Sequence, residues 1–430
     1  MANEVYMQTI EGFPFFSLSF DQDGALESRD EFSAMVERAK TAPRATDAIF
    51  LAHGFRNDVD DASRLYSTFL RTFRGNLSRP EFKDIKSRQF LAAGVYWPSK
   101  PFRETYGDEN GGTRGLQNPT SAMTDAKAEL EELKKDDATP AQRRKLDKAI
   151  KLLPKLDGHP KTQDDFVKLV WSLLDDSTLD ATEGLPQLRA LSGSEVLANL
   201  SGPAAGTRGI GDVVGGIAGG IGRFLNLTKW YVMKNRSGAV GSTGVAGAVR
   251  EFHKSCPDVR IHLVGHSLGG RLMAGCAKAL GEAPRLQVDS LTLLEAAFSH
   301  FGFSADNGHG VPGFFRDVIV NKVVKGPFVS TFSTEDTVVG YAYAVMSRLA
   351  RDNTRGIGDA SDEFGGIGRN GPLKTKEVAN TPFRKPSTVY EYKPGVINNL
   401  DGSGGFIKNH GDVTNEAVTY AFASAVAQTR

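Results

Sequence analysis

The pentapeptide at residues 265–269 has residue types and spacing that suit nucleophilic catalysis. It reads Gly-His-Ser-Leu-Gly, which places Ser267 midway between Gly265 and Gly269. A serine hydroxyl can attack an electrophilic carbon when a neighbouring base accepts its proton. Glycines two positions away allow a sharp turn, because side chains there would collide with the flanking elements. The pattern indicates Ser267 as a nucleophile, with both glycines in support.

The elements around Ser267 are those that such a turn requires. The run Arg-Ile-His-Leu-Val at 260–264 has the length of a strand, and a helical pattern follows Ser267. Chance alone can produce Gly-x-Ser-x-Gly in a glycine-rich chain, but the strand before it and the helix after it favour a nucleophile elbow. The N–H of Leu268 would then open the helix and could donate to an oxyanion.

The remaining chain predicts an α/β protein with a mostly parallel central sheet flanked by helices. Short apolar runs at 48–52 and 90–96 read as strands, and they alternate with amphipathic helices. Between 103 and 228 helical patterns replace the strand signals. We therefore expect a core formed by 1–102 and 229–430, with 103–228 inserted as a helical cap or lid.

From the strand, elbow and helix together, the chain resembles the α/β-hydrolase superfamily. In that family the acid and the histidine follow the serine in sequence. The resemblance implies that His410 is the base, because it precedes the terminal helix. It also implies that Asp336, after the apolar run 328–332, is the acid that holds the correct histidine tautomer. Glu335 and Glu295 are alternative acids.

The resemblance also implies how the oxyanion is bound. The segment His53-Gly54-Phe55 follows an early strand and looks like the family's His-Gly-x loop. The resemblance implies that the N–H of Phe55 is the second oxyanion donor, beside that of Leu268. Gly54 would allow the backbone to approach the substrate carbonyl closely, and His53 would be a structural hydrogen-bonding residue. Acyl transfer of this kind needs no metal and no organic cofactor.

Two other glycine-rich segments have different interpretations. Residues 206–222 contain 8 glycines and carry apolar residues at helical spacing. They could form a mobile lid over an acyl pocket or simply pack across the core. Residues 366–371 match Gly-x-Gly-x-x-Gly, but they follow no apolar strand and run into Pro372, which favours a loop over a nucleotide site.

Composition limits the partners and the compartment. The 430 residues carry 52 Lys and Arg against 51 Asp and Glu, so the net charge of +1 provides no field that would attract nucleic acid, and we expect no nucleic-acid partner. The start of the chain has no basic, apolar signal pattern, and no run of about 20 apolar residues follows. We expect a cytoplasmic protein with, at most, peripheral contact with a lipid interface; signal-independent secretion is compatible with the sequence.

The predicted function is hydrolysis of carboxylic esters, by an esterase or lipase, through a Ser-Asp-His triad and an acyl-enzyme intermediate. The substrate would be a small-molecule or lipid ester. Three alternatives stay open: a phospholipase or lipid-interface lipase with a glycine-rich lid, an amidase or thioesterase, and an inactive binding protein that keeps the fold.

Overall fold

The computed structural model describes residues 6–55, 57–99, 119–135, 138–174, 181–201, 216–339, 360 and 364–430. The chain divides into two compact units. The first comprises 1–100, 236–339 and 365–430, and the second comprises 101–235 and 340–364. The range 103–228, predicted as an insertion, lies within the second unit.

The first unit is built on a nine-stranded sheet. Its strands are β1 (Gln8–Ile10), β2 (Phe13–Ser19), β3 (Asp47–Ala52), β4 (Phe90–Tyr96), β5 (Arg260–His266), β6 (Ser290–Leu294), β7 (Phe328–Phe332), β8 (Val378–Pro382) and β9 (Ile397–Asp401). The order across the sheet is β1-β2-β4-β3-β5-β6-β7-β9-β8. The β1–β2 pair is antiparallel and the other pairs are parallel. The predicted α/β class with a mostly parallel sheet flanked by helices is confirmed.

Helices separate most of the strands along the chain. They are α1 (Arg29–Lys40), α2 (Val59–Leu77), α3 (Pro119–Lys135), α4 (Pro140–Leu152), α5 (Pro160–Trp171), α6 (Leu185–Arg189), α7 (Gly193–Ser201), α8 (Ile217–Ala239), α9 (Ala246–Ser255), α10 (Leu268–Leu280), α11 (Arg316–Val320), α12 (Ile367–Asn370) and α13 (Glu416–Ala427). Short 3-10 turns cover Pro80–Phe82, Leu153–Lys155 and Ala181–Glu183, and a π-helical segment covers Val240–Val245.

Local sequence explains where several helices begin. Asp58 accepts a hydrogen bond from the Asp61 N–H at 2.8 Å, and the Asp61 carboxylate accepts one from the Asp58 N–H, so α2 opens on a reciprocal capping box. Thr139 caps α4 in the same way with Gln142, ahead of Pro140 at the first helical position. Both starts were predictable from residue type alone.

The sheet core is packed with aromatic side chains. All six residues of β3 are buried, as expected for a parallel strand that is covered on both faces. On one face, Phe73 of α2 lies 5.0 Å from Phe422 of α13, measured between ring centroids. Phe69 contacts the same ring at 5.4 Å. These contacts fix α2 and α13 side by side on the sheet.

A glycine allows the π-helical segment Val240–Val245 to contact α10 unusually closely. A Cβ atom on Gly241, in the π-helical segment, would lie 2.1 Å from the backbone oxygen of Leu272. Any side chain there would force the two backbones apart. The contact holds the helix that follows Ser267 directly against Val240–Val245.

The second unit is helical in its described part, and buried ion pairs hold it together. Lys229 of α8 lies 3.5 Å from Glu129 of α3, and Lys234 pairs with Glu183; these four side chains are almost fully buried. Desolvation raises the pKa of Glu129 to about 7, although the charge of Lys229 opposes the shift.

The glycine-rich segment 206–222 is only partly within the described residues. Positions 206–215 lie outside them, and so does the predicted apolar stripe at Ile210, Val213 and Val214. Ile217 and Ile221 belong to α8. In the described part of the chain, no helix is long and apolar enough to cross a membrane.

Candidate active site

The predicted site residues follow successive strands at one edge of the sheet. Ala52 at the end of β3 is paired with Gly265 of β5, and His266 is paired with Leu294 of β6. Leu294 is paired in turn with Thr331 of β7. Since parallel strands end at the same edge, the residues after them converge there. This register places the loop after Ala52, the turn at Ser267 and Glu295 in one row.

Ser267 occupies a sharp turn between β5 and α10. Its φ of 57° and ψ of −125° lie in a region that residues with side chains rarely adopt. A Cβ on Gly265 would lie 2.2 Å from the Gly269 oxygen, and one on Gly269 would lie 2.3 Å from the Ala52 oxygen. The turn therefore needs glycine at both positions for close backbone contact.

The backbone of Ser267 is held by the neighbouring strand. Its N–H donates to the Leu294 oxygen at 3.0 Å, and its own oxygen accepts from the N–H of Ala297 at 3.0 Å. The described residues show no hydrogen bond between the Ser267 hydroxyl and His410, whose hydrogen bonds are with Asp336 at Nδ1 and with His266 at the backbone oxygen. In sites without substrate, such a contact is often long and tightens on binding.

Asp336 and His410 form a hydrogen-bonded pair. The Asp336 Oδ2 atom lies 2.7 Å from His410 Nδ1, and Asp336 is fully buried. Its second oxygen, Oδ1, accepts from the Val339 N–H at 2.9 Å and so caps the helical turn at 337–339. The helical turn and the histidine thus contact different oxygens of one carboxylate. Because a carboxylate oxygen accepts, Nδ1 of His410 donates the hydrogen in this bond.

The two alternative acids lie elsewhere. Glu335 accepts from the Gly404 N–H at 3.1 Å and is exposed. Glu295 is fully buried with a φ of 45°, and its Oε1 accepts from the Thr331 hydroxyl at 3.1 Å. Burial and the nearby charge of Asp336 raise the pKa of Glu295 well above its usual value. Of the three carboxyls, Asp336 is the one in contact with His410.

The loop after β3 approaches the serine directly. A Cβ on Gly54 would lie 2.7 Å from Ser267 Cβ and 3.2 Å from Ser267 Oγ. Phe55 follows Gly54, so its backbone belongs to the same loop. The contact requires glycine at 54 and puts this loop against the candidate nucleophile.

His53 is a buried structural residue. Its N–H donates to the Tyr66 hydroxyl at 3.0 Å, and its backbone oxygen accepts from the Trp97 indole at 3.1 Å. Its Nδ1 donates to the Gly54 oxygen at 3.0 Å. Burial lowers the pKa of His53 to about 4, against the effect of that hydrogen bond, so the ring is neutral near pH 7.

His266 precedes Ser267 in the chain and contacts the segment that carries His410. Its Nε2 atom is 2.8 Å from the backbone oxygen of His410, and the two imidazole rings are 4.7 Å apart. The pair joins the elbow directly to the loop that carries His410.

A short helix braces the acid. Arg369 of α12 donates to the backbone oxygens of Thr334 and Asp336, at 2.7 and 2.8 Å. The Gly368 oxygen accepts from the Ser333 N–H at 3.0 Å. Residues 366–371, interpreted as a loop from the sequence, therefore include one helical turn that supports the Asp336 segment.

Sequence reasoning did not identify His266, Arg369, Tyr66 or Trp97 as supporting residues. His266 lies inside the pentapeptide and Arg369 inside a glycine-rich segment, so a signal existed at both. Tyr66 and Trp97 carried no such signal, because their contacts depend on how α2 and the end of β4 pack.

Comparison with known proteins identifies no relative. No family model matches the chain, no curated protein matches it, and no solved structure matches it.

Proposed function

We propose that the chain is a serine hydrolase with an α/β-hydrolase fold that cleaves carboxylic esters. The observation that carries the proposal is the Asp336–His410 hydrogen bond of 2.7 Å at the sheet edge where Ser267 occupies its sharp turn. Serine, acid and histidine also follow one another in the order typical of that fold. A buried carboxylate on Nδ1 leaves Nε2 of the imidazole as the atom that can accept a proton.

In the proposed reaction, His410 Nε2 takes the proton of Ser267 Oγ as the oxygen attacks the ester carbonyl carbon. The tetrahedral intermediate then collapses, and His410 returns the proton to the departing alcohol. A water molecule, deprotonated by the same imidazole, attacks the acyl-enzyme and releases the carboxylic acid.

The oxyanion would be bound by two backbone N–H groups. Leu268 is the first residue of α10, and the first N–H groups of a helix have no partner within it. The helix dipole adds to the attraction for negative charge there. The second donor would be Phe55, because Gly54 brings its loop against Ser267. Loss of one such donor typically costs about 3 to 4 kcal/mol of transition-state stabilisation.

A fluorophosphonate probe tests the proposal. We expect the wild-type protein to be labelled on Ser267, as located by peptide mass spectrometry, and Ser267→Ala to abolish the labelling. Ser33→Ala, on the exposed side of α1, is the matched control and should be labelled like the wild type. A folded wild-type protein that reacts slowly or at another residue would contradict the proposal and favour a binding protein.

A second experiment determines which type of acyl bond the protein cleaves. A series of chromogenic esters of increasing chain length, run beside amide and thioester analogues, separates the alternatives. We expect esters to be cleaved with the highest kcat/KM. A steep preference for long chains that appears only with lipid vesicles would instead indicate the lipid-interface enzyme.

A further inference from the structure

We propose that His266 is a positioning residue that fixes the main chain of His410 relative to Ser267. The inference deepens the proposed function and rests on it. It starts from a single contact, the 2.8 Å hydrogen bond between His266 Nε2 and the backbone oxygen of His410.

The acceptor determines the state of the His266 ring. A carbonyl oxygen can only accept, so Nε2 of His266 must carry the hydrogen and donate it. Nδ1 is then the unprotonated nitrogen of a neutral ring. Among the described residues this Nδ1 is buried without a hydrogen-bond partner. The bond to His410 is therefore what orients the His266 ring.

Its surroundings keep the ring neutral. His266 lies on a small apolar cavity lined also by Phe69, Val264 and Val413. Burial, followed by the charge of His410, lowers the pKa of His266 to about 3. A neutral neighbour adds no repulsion when His410 accepts the serine proton. A cation at this distance would oppose that transfer.

Two contacts together define the position of the base. Asp336 holds the His410 ring through Nδ1, and His266 holds the His410 backbone. One peptide bond connects His266 to Ser267. His266 therefore ties the main chain of the base to the residue next to the nucleophile, while Asp336 orients the imidazole ring.

Replacing His266 by Gln or by Asn separates this role from simple packing. The Gln amide nitrogen can reach the Nε2 position, whereas the Asn amide nitrogen reaches only the Nδ1 position. We expect His266→Asn to lower kcat by roughly 10- to 100-fold, the usual effect of a misplaced catalytic group, with little change in KM. His266→Gln should restore most of the wild-type kcat, and the rate of fluorophosphonate labelling should follow kcat.

The outcomes distinguish this inference from the proposed function. If the wild type is neither labelled nor active, the proposed function fails. If the wild type is active and the Asn variant, shown to be folded by circular dichroism, matches its kcat, the positioning role is overturned. Should the Asn variant melt below the assay temperature, the Gln variant decides: retained activity supports the role, and a tenfold loss of kcat overturns it.

Discussion

At the scale of single residues, two buried carboxyls lie near each other and accept hydrogen bonds from different partners. Asp336 accepts hydrogen bonds from His410 and from the Val339 N–H. Glu295 accepts one from Thr331, and its Oε2 is without a hydrogen-bond partner in the described structure. A buried carboxylate with few donors holds its proton, as the raised pKa of Glu295 indicates. Of the two carboxyls, Glu295 is thus the one that is held in its neutral form.

The activities of the Asp336→Asn and Glu295→Gln variants test which of the two carboxyls acts as the acid. We expect Asp336→Asn to lower kcat by roughly 10⁴-fold, because the imidazole loses the partner that fixes its tautomer. Glu295→Gln should keep most of the activity, since it replaces one neutral group by another of the same shape. Steady-state kinetics on one ester suffices, and a larger loss from Glu295→Gln would show that the acid is Glu295.

Glu295→Gln should also change how stability depends on pH. The folded-state pKa of Glu295 is raised, so above about pH 4.5 the folded protein binds a proton that the unfolded chain has released. Wild-type stability therefore loses up to about 1.4 kcal/mol per pH unit from this group as pH rises, and the Gln variant does not. Urea unfolding of both proteins between pH 5 and 8 measures the difference. A difference independent of pH would mean that Glu295 is ionised in the folded protein.

The candidate site residues could be proposed from residue order, but the contacts among them could not. Ser267, Asp336 and His410 were assigned by motif and by position after strands, which the sequence contains. Whether Glu295 or Asp336 contacts His410 depends on the turn at 333–336, which Arg369 holds from a distant segment. Such contacts depend on packing that no local pattern encodes.

At the scale of elements, the site depends on two turns that touch. The loop after β3 and the turn after β5 contact each other through Gly54 and Ser267, with no room for a methyl group between them. Each turn is anchored separately, His53 by Tyr66 and Trp97 and Ser267 by Leu294. Neither turn can move away without breaking these hydrogen bonds.

Gly54→Ala should therefore damage activity more than stability. The new methyl carbon would lie 2.7 Å from Ser267 Cβ, so the serine must shift. We expect kcat to fall about 100-fold, as for other misplacements of a reacting group by about 1 Å. Overpacking of this kind costs about 1 to 3 kcal/mol in the free energy of unfolding.

Gly75→Ala is the matched control. Gly75 lies within α2, and a Cβ there would meet no atom within 4 Å beyond its chain neighbours and the backbone of its own helix. Alanine should raise the free energy of unfolding by up to about 1 kcal/mol through helix propensity, with kcat unchanged. Equal activity in the Gly54 and Gly75 variants would show that the two turns are looser than the structure indicates.

Elements with a clear apolar pattern were predictable, and an element too short to show a pattern was not. The runs at 48–52, 90–96 and 328–332 are strands with nearly the predicted bounds, because buried strands need uninterrupted apolar residues. Helix α12 has four residues, too few to show a helical period. This turn packs closely on Glu295, because a Cβ on Gly368 would lie 2.4 Å from the Glu295 backbone.

At the scale of the molecule, a second polar cluster lies at the opposite edge of the sheet. Asp47 opens β3 and is fully buried, and it accepts from His262 at 3.0 Å and from Arg88 at 3.1 Å. Burial opposes the ionisation of Asp47, but His262, Thr46 and Arg88 together hold its pKa below the usual value. The six residues of β3 separate it from the candidate site by roughly 20 Å.

Asp47→Asn should lower stability without changing the chemistry. Removing one partner of a buried ion pair costs about 3 kcal/mol, because the remaining charges lose their compensation. The cost should be greatest above pH 4 and shrink as the pH falls through the lowered pKa of Asp47, where the wild type loses the same charge. Urea unfolding measures the loss, and kcat per fluorophosphonate-titrated site should equal that of the wild type. A drop in kcat per titrated site would show that the two edges are coupled.

The close contact between Gly241 and Leu272 has a consequence for how this protein can diverge in evolution. A backbone that touches another backbone accepts no side chain, so Gly241 has no conservative substitute even though it lies outside the candidate site. Natural selection should remove substitutions of Gly241 as strictly as substitutions of Ser267. Among homologues this position should be one of the least variable of the chain, while the exposed face of α1 should vary freely.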